Sequence, residues 1–190
     1  MLIYLLRHGR TEGNLLGRYI GRTDEALCVE FTKELREKSG RYTADLLFVS
    51  PMKRCVQTAQ ILFPGQKQYS VNDFRECDFG VFENKNYQEL SDDPRYQAWI
   101  DSNGMLPFPE GESRESFQQR CVYAFQKVLE EAKKQKAETV ACVVHGGTIM
   151  SILAELAYPK RDYYEYQVRN GGGYAVTVRE DGLLEIVCFC

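Results

Sequence analysis

Two long apolar runs dominate the chain, Leu2-Ile3-Tyr4-Leu5-Leu6 at its start and Thr139-Val140-Ala141-Cys142-Val143-Val144 near residue 140, with a shorter one at Leu46-Leu47-Phe48-Val49. None alternates with polar residues. Continuous hydrophobicity of this length marks strands buried on both faces, as in a parallel or mostly parallel sheet. Between them the period turns helical. Phe117, Cys121, Ala124, Phe125, Val128 and Ala132 share one stripe, which predicts a helix from near Ser113 to about Lys134. Ser50-Pro51 reads as an N-cap followed by proline at the first helical position, opening a helix through Arg54, Cys55, Thr58, Ala59 and Leu62 that Pro64-Gly65 closes. Gly147-Thr148 opens another, through Ile149, Ile152, Leu153 and Leu156, ended by Pro159. A short helix is expected over about 30–39, and strands near 174–179 and 183–189 flank Asp181-Gly182 as a hairpin.

This order predicts an α/β chain: three layers, a mostly parallel central sheet, helices on both faces and a C-terminal hairpin. The stretch 84–111 differs in character, being polar and aromatic with three prolines, Pro94, Pro107 and Pro109. It reads as a lid-like insertion over the site of a single domain spanning 1–190, rather than as a second domain.

Composition narrows the function. The 190 residues suffice for one real core, and 24 basic against 27 acidic residues leave a net charge of −3, which favours neither nucleic acid nor an anionic membrane as partner. No apolar run reaches the length of a bilayer span, and the opening run has no basic residue before it, so a cytoplasmic location is expected. Seven cysteines without a Cys-x-x-Cys pair read as free thiols in a reducing compartment. Cys188 and Cys190 alternate with Val187 and Phe189 and are expected to be buried and structural. With two histidines in the chain, no metal site and no cofactor is expected. A homodimer is compatible with all of this, and so is a monomer.

Those two histidines carry the chemistry. His8 ends the first apolar run and precedes Gly9; His145 ends the second and precedes Gly146-Gly147. Both therefore sit at carboxyl ends of core strands, where open α/β sheets place their ligand crevice. His145 also leads into a helix N-terminus, whose N–H groups and dipole favour an anion. Arg7 lies beside His8, and Arg54 stands early in a helix that follows another strand end. Guanidinium forks match phosphate oxygens, and a charge pair at about 4 Å is worth roughly 4 kcal/mol at an effective dielectric of 20, so two arginines can hold a dianion. Each feature alone has a plain structural reading: a strand-end histidine, a surface arginine, a loop acid at Glu76. Their joint occurrence at the ends of separate strands points to one phosphate site.

The motifs in order are Arg7-His8-Gly9-Arg10-Thr11-Glu12-Gly13-Asn14, Gly21-x-x-Asp24, Ser50-Pro51-x-x-Arg54-x-x-x-Thr58-Ala59, Glu76-x-x-Phe79-Gly80, Gly111-Glu112-Ser113 and Val144-His145-Gly146-Gly147. They cover nearly the whole chain, which thereby resembles the histidine phosphatase superfamily, the group that includes the cofactor-dependent phosphoglycerate mutases and many small phosphatases. The resemblance implies a metal-independent phosphomonoester hydrolase in which His8 becomes phosphohistidine. By the same resemblance Arg7, Arg54 and His145 bind the phosphoryl group, with Asn14, Ile20, Gly21 and Gly146 as further substrate contacts, and Glu76 is the proton donor and acceptor. His8 must then present a neutral ring nitrogen, while a protonated His145 is expected to add positive charge.

Arg10, Leu27-Cys28-Val29-Glu30-Phe31 and Asn84 depart from the usual pattern, none at a catalytic position; Arg10 is expected to add charge at the mouth of the site. The length, the Gly-Glu-Ser motif and the ending Gln167-Val168-Arg169-Asn170-Gly171 are most similar to the α-ribazole phosphatases of cobalamin biosynthesis, with Tyr87, Tyr96, Trp99 and Phe108 available to stack on an aromatic substrate or simply to pack. The alternative is a phosphatase of a small sugar phosphate, phosphoglycerate or phosphoserine. A mutase is disfavoured because 84–111 offers only Lys85 and Arg95 against a surplus of acids. A catalytically silent phospholigand-binding scaffold would not need the intact set of His8, Arg7, Arg54, Glu76 and His145.

Overall fold

In the computed structural model, which describes residues 1–189, the three uninterrupted apolar runs are strands β1 (Leu2–Arg7), β2 (Leu46–Val49) and β4 (Thr139–Val144). With β3 (Gln68–Ser70), β5 (Ala157–Tyr158), β6 (Gly173–Val178) and β7 (Leu184–Phe189) they form one sheet in the order β3-β2-β4-β1-β6-β7-β5. The pairs β1–β4, β2–β4, β2–β3 and β5–β7 are parallel, while β6 runs against both β1 and β7.

The central strands lack polar residues because each face feeds a different core. Ile3, Leu5, Phe48, Val140, Cys142 and Val144 join one apolar cluster, and the residues between them, Leu6, Leu47, Val49, Ala141 and Val143, join the other. Side chains of a strand alternate between faces, so covering both faces requires apolar residues at every position. The larger core is covered by α5 (Arg114–Lys134) and α6 (Gly146–Leu156), the smaller by α2 (Thr32–Arg36) and α3 (Lys53–Leu62). Helix α5 starts where the sequence places it, with the Ser113 hydroxyl accepting from the Ser116 N–H. A 3-10 turn, Val29–Phe31, precedes α2 and leaves that helix short.

Two local expectations fail. Ser50 is not the cap of α3: Met52 holds that position without a side-chain bond, and the Ser50 hydroxyl lies 2.8 Å from His145 Nε2 instead. A buried partner at that distance outcompetes the open end of a helix. Cys188 is exposed rather than buried, because β5 covers β7 only at Leu184 and Glu185. Cys190 lies outside the described residues, and all six described cysteines are free thiols. Among the described residues no helix is long and apolar enough to cross a membrane.

The stretch 84–111 contains α4 (Pro94–Asp101), capped by Asp93 with Pro94 at its first position. Its Leu90, Tyr96 and Phe108 enter the larger core rather than a core of their own. Its start is tied to the loop after the short helix α1 (Glu12–Leu15): the Tyr19 N–H donates to the Lys85 carbonyl, the Asn84 N–H donates to the Tyr19 carbonyl, and Arg18 reaches the Asn84 carbonyl and Glu89.

Phe125, fully buried between α5 and the sheet, should be among the costlier positions to truncate. Phe125→Ala is expected to cost about 3–5 kcal/mol, read as a melting temperature lower by roughly 10 °C, while the same cut at exposed Val187 should stay within about 0.5 kcal/mol. Similar losses at both would contradict the core assignment.

Candidate active site

Four backbone segments converge at the carboxyl end of β1 and β4. Arg7 and His8 leave β1, and His145 leaves β4 as the N-cap of α6. Arg54 stands in the first turn of α3, and Glu76 follows the 3-10 turn Asn72–Phe74 beyond β3. Their alignment follows from register, since β1 and β4 are parallel neighbours with Arg7 beside Val144, and the His8 N–H donates to the Val144 carbonyl at 3.0 Å. The imidazole rings of His8 and His145 meet edge to face, with centroids 5.2 Å apart.

His8 is 4% exposed, and its Nδ1 lies 2.6 Å from the Gly9 carbonyl oxygen. A carbonyl only accepts, so Nδ1 carries the proton and Nε2 keeps its lone pair. Burial, then the charges of Arg54 and Arg7, hold the His8 pKa well below that of a free histidine. The ring is therefore neutral and nucleophilic at Nε2 around neutral pH.

Arg54 is completely buried, and carbonyl oxygens hold it: Thr23 at 2.8 Å from Nη1, Gly21 at 3.0 Å and Ile20 at 3.4 Å from Nη2. Its Nε donates to His145 Nδ1 at 3.3 Å. That nitrogen must then be unprotonated, so Nε2–H of His145 donates to Ser50. Here the expectation of a protonated His145 is corrected. Burial first, then Arg54, His8 and Arg7, push its pKa well below the ordinary value. Ile20 and Gly21, expected to touch substrate, turn their carbonyls to Arg54, and the Gly21 N–H goes to Glu83 Oε1 at 2.9 Å.

Glu76 Oε1 accepts from the Cys77 N–H at 3.0 Å and Oε2 from the Gly147 N–H at 3.1 Å. One of the N–H groups expected at the mouth of α6 thus serves a carboxyl group rather than an anionic ligand. Burial raises the Glu76 pKa against these two bonds and the opposing charges of Arg54 and Arg7. A carboxyl group with a raised pKa beside a neutral histidine is a ready proton donor. Gly147 is needed at this point: a Cβ there would stand 2.4 Å from Glu76 Oε1 and 2.9 Å from the Phe117 ring.

These groups border a cavity of about 460 Å³ whose wall includes Arg7, Asn14, Glu76, Gly146 and Asn170. His8 and His145 are buried next to that wall, adjacent in the chain to Arg7 and Gly146, and Arg54 is buried behind them, bonded to His145. Trp99, Gly104 and Phe108 line the same cavity. Tyr87 is 65% exposed, and Tyr96 packs into the core, stacked on Trp99 with centroids 6.1 Å apart. Arg10 lies over the Phe31 ring at 4.8 Å.

Several positioning groups escaped the sequence reading. Arg120 pairs with Glu112 at 2.7 Å and donates to the carbonyls of Asp73, Arg75 and Glu76, while Glu112 accepts from the Asp78 N–H; together they clamp the loop that carries Glu76. Glu83 Oε1 collects the Gly21 and Thr23 N–H groups and the Thr23 hydroxyl, fixing the loop that holds Arg54. Asn170 donates to the carbonyls of His8 and Gly9 and to Asn14 Oδ1. The Gly111-Glu112-Ser113 motif was the one available signal for Glu112, and a clamp eight residues long across a helix start has no periodicity to reveal Arg120.

The model of the histidine phosphatase superfamily (branch 1) matches residues 3–188. The chain belongs to that superfamily. Among its relatives are the adenosylcobalamin/alpha-ribazole phosphatase of Escherichia coli, 27% identical over 190 residues and covering 95% of this chain and 91% of that one. The 6-phosphofructo-2-kinase/fructose-2,6-bisphosphatase 4 of Homo sapiens is 36% identical over 159 residues, 80% of this chain, which spans only 32% of that relative's length. A crystal structure of a mutant phosphoserine phosphatase from Entamoeba histolytica in complex with phosphoserine superposes with a TM-score of 0.83 at 26% identity, covering 99% of this chain and 95% of that one. This histidine phosphatase has the fold of its family, and it is a phosphatase.

Two outcomes follow from the geometry. Gly147→Ala should displace the Glu76 carboxyl and lower kcat by about 10²-fold in steady-state assays, with the melting temperature little changed; unchanged kcat would show that the Glu76 position is not critical. The pH dependence of stability follows from the two histidines, the only ones in the chain. Both pKa values are depressed by folding, so their contribution is intact above the unfolded value of about 6.5 and is lost as pH falls below it. The slope reaches at most about 1.4 kcal/mol per pH unit for each histidine. Glu76, raised by folding, has the opposite sign: its contribution is present below the ordinary carboxylate value and is lost as pH rises through its folded value, so it offsets part of the effect of the two histidines. Melting temperature should therefore drop between pH 7 and 5.5, and drop less in His145→Gln; a flat curve in the wild-type protein would contradict both depressed values.

Proposed function

We propose that this histidine phosphatase hydrolyses small phosphate monoesters without a metal ion, through a phosphohistidine at Nε2 of His8. The observation that carries this reading is the 2.6 Å bond from His8 Nδ1–H to the Gly9 carbonyl, which leaves the Nε2 lone pair as the only nucleophilic position of the ring. In the first step Nε2 bonds to phosphorus while the bond from phosphorus to the ester oxygen breaks, and the proton of Glu76 goes to that oxygen. In the second, the Glu76 carboxylate takes a proton from water as its oxygen bonds to phosphorus and the N–P bond breaks, giving phosphate and restoring Glu76. One carboxyl group serves both steps in opposite protonation states.

Arg7 and Arg54 hold the phosphoryl oxygens, helped by Asn14 and the Gly146 end of α6. His145 is neutral before substrate arrives because burial and two arginines oppose its charge. A bound dianion offsets those charges and lets the imidazolium form against it, the state that stabilises charge building on the oxygens. The segment 84–111 acts as an insertion of the same domain, forming one wall of the site through Trp99 and Phe108.

For the leaving group, α-ribazole 5′-phosphate fits the aromatic wall made by Trp99, Phe108, Tyr19 and Phe79, and an α-ribazole phosphatase is among the relatives. A second reading, an acidic phosphoester such as phosphoserine or phosphoglycerate, is favoured by Arg114 in the same wall. The mechanism is tested by rapid alkaline quench after mixing with labelled substrate. Acid-labile, base-stable phosphate should appear on wild-type protein and be absent from His8→Ala. Glu76→Gln should slow alkyl phosphates by about 10²–10⁴-fold, the usual worth of a general acid, and slow p-nitrophenyl phosphate much less, since that leaving group needs no proton. Turnover with no trapped phosphoenzyme, or equal losses on both esters, would overturn the assignment.

A further inference from the structure

Gly9 has no side chain with which to anchor the turn after the nucleophile, and a Cβ there would stand 2.6 Å from Leu35 Cδ1. Hydrogen bonds hold the turn instead. The His8 N–H donates to the Val144 carbonyl at 3.0 Å, and the His8 carbonyl accepts from the Gly171 N–H at 3.0 Å and from Asn170 Nδ2 at 3.2 Å. A further hold comes from α3, where the Thr58 hydroxyl oxygen accepts from the Gly9 N–H at 2.9 Å. Thr58 is completely buried, and the same hydroxyl donates to the Arg54 carbonyl at 2.6 Å. A hydroxyl has one hydrogen to give. With Arg54 taking it, the rotation of the group is set and a lone pair is aimed at Gly9. Cys55 on the same helix offers no substitute, since its Sγ faces the Val144 carbonyl at 3.5 Å and His145 Nε2 at 3.6 Å.

Resting on the phosphohistidine reading above, we propose that Thr58 is a positioning residue of the reaction: its hydroxyl fixes the Gly9 backbone, and through it sets the His8 ring relative to the phosphoryl oxygens held by Arg54. The path is short. The carbonyl of Gly9 takes the His8 Nδ1–H at 2.6 Å, so any swing of Gly9 moves that acceptor and turns Nε2 away from phosphorus. Transfer in line with the departing ester oxygen tolerates little such error. Thr58 also stands one helical turn beyond Arg54 and bonds its carbonyl, so one oxygen joins the turn of the nucleophile to the part of α3 that carries the guanidinium. Thr58 itself touches neither substrate nor a reacting atom, and its effect runs entirely through backbone groups.

A set of Thr58 variants separates position from folding. Thr58→Val keeps the shape and removes the hydroxyl, leaving the Gly9 N–H buried without its acceptor. It should slow phosphoenzyme formation by about tenfold or more in rapid-quench measurements. The loss should be equal on an alkyl phosphate and on p-nitrophenyl phosphate, because the nucleophile and not the leaving group is displaced. Inorganic phosphate, read as a competitive inhibitor, should bind within about threefold of wild type, since the carbonyls of Ile20, Gly21 and Thr23 still hold the Arg54 side chain. Thr58→Ser, which returns the hydroxyl, should recover most of the rate. An unchanged rate in Thr58→Val, a loss of phosphate affinity as large as the loss of rate, or no recovery in Thr58→Ser overturns the proposal. If Thr58→Val does not fold, Thr58→Ala and Thr58→Ser decide: both lack the methyl group and differ only in the hydroxyl, so equal rates would refute the role. If wild-type protein forms no phosphoenzyme, the mechanism fails instead. Positioning is then read from the nitrogen NMR signals of the His8 ring. Wild-type protein should show a protonated Nδ1 and a bare Nε2, and Thr58→Val a mixture of tautomers; unchanged ring signals would refute the proposal.

Discussion

A guanidinium buried without a carboxylate sets the terms for the rest of this site. Arg54 is fully enclosed, yet its partners are three carbonyl oxygens and the neutral nitrogen of His145. Neutral acceptors satisfy its N–H groups but cancel none of its charge, and enclosing an uncancelled charge costs several kcal/mol. The protein maintains this by freezing the loop that supplies the carbonyls, which is the work of Glu83 on Gly21 and Thr23. Burial first, and then this same charge with that of Arg7, keeps both histidines neutral. The proposed nucleophile, the second imidazole and the anion trap therefore share one buried electrostatic field.

A second layer places the carboxyl group of Glu76. Glu76 sits on a loop with little regular structure, and a loop alone would not hold a carboxyl group to a fraction of an ångström. The Arg120–Glu112 pair ties three loop carbonyls and the Asp78 N–H to the start of α5, so the loop inherits the rigidity of a long helix. At Gly80 the loop turns with φ 53°, and a Cβ there would stand 2.0 Å from the Pro109 carbonyl. Only glycine lets 84–111 close against that turn.

Much of this was legible from the chain. The apolar runs ending at His8 and His145 located the strands and the edge where the site forms, because residues buried on two faces leave an unmistakable pattern. The stripe from Phe117 to Ala132 and its Ser113 cap were equally clear. Local signals misled where a distant partner won. Ser50 has the residue type and the following proline of a cap, but its hydroxyl is taken by His145, ninety-five residues on. Cys188 reads as buried on strand periodicity alone, although its strand has almost no neighbour on that side. Arg120, Glu83 and Asn170 act through backbone atoms far away in sequence, which no spacing rule encodes.

The path of the chain has a consequence for how this enzyme comes into being. Strand β1 lies between β4 and β6, so it has no sheet partner until residues beyond 139 and 173 exist. The Gly171 N–H then donates to the carbonyls of Arg7 and His8, and Asn170 closes over the same turn. Such long-range pairing makes folding slow, and it leaves an apolar strand without its partners until the later segments are available. His8 and the Asn170 amide that closes over its turn stand 162 residues apart. The site thus assembles only once segments distant in the chain have paired, so turnover would report completion of the sheet as a whole rather than of any local element.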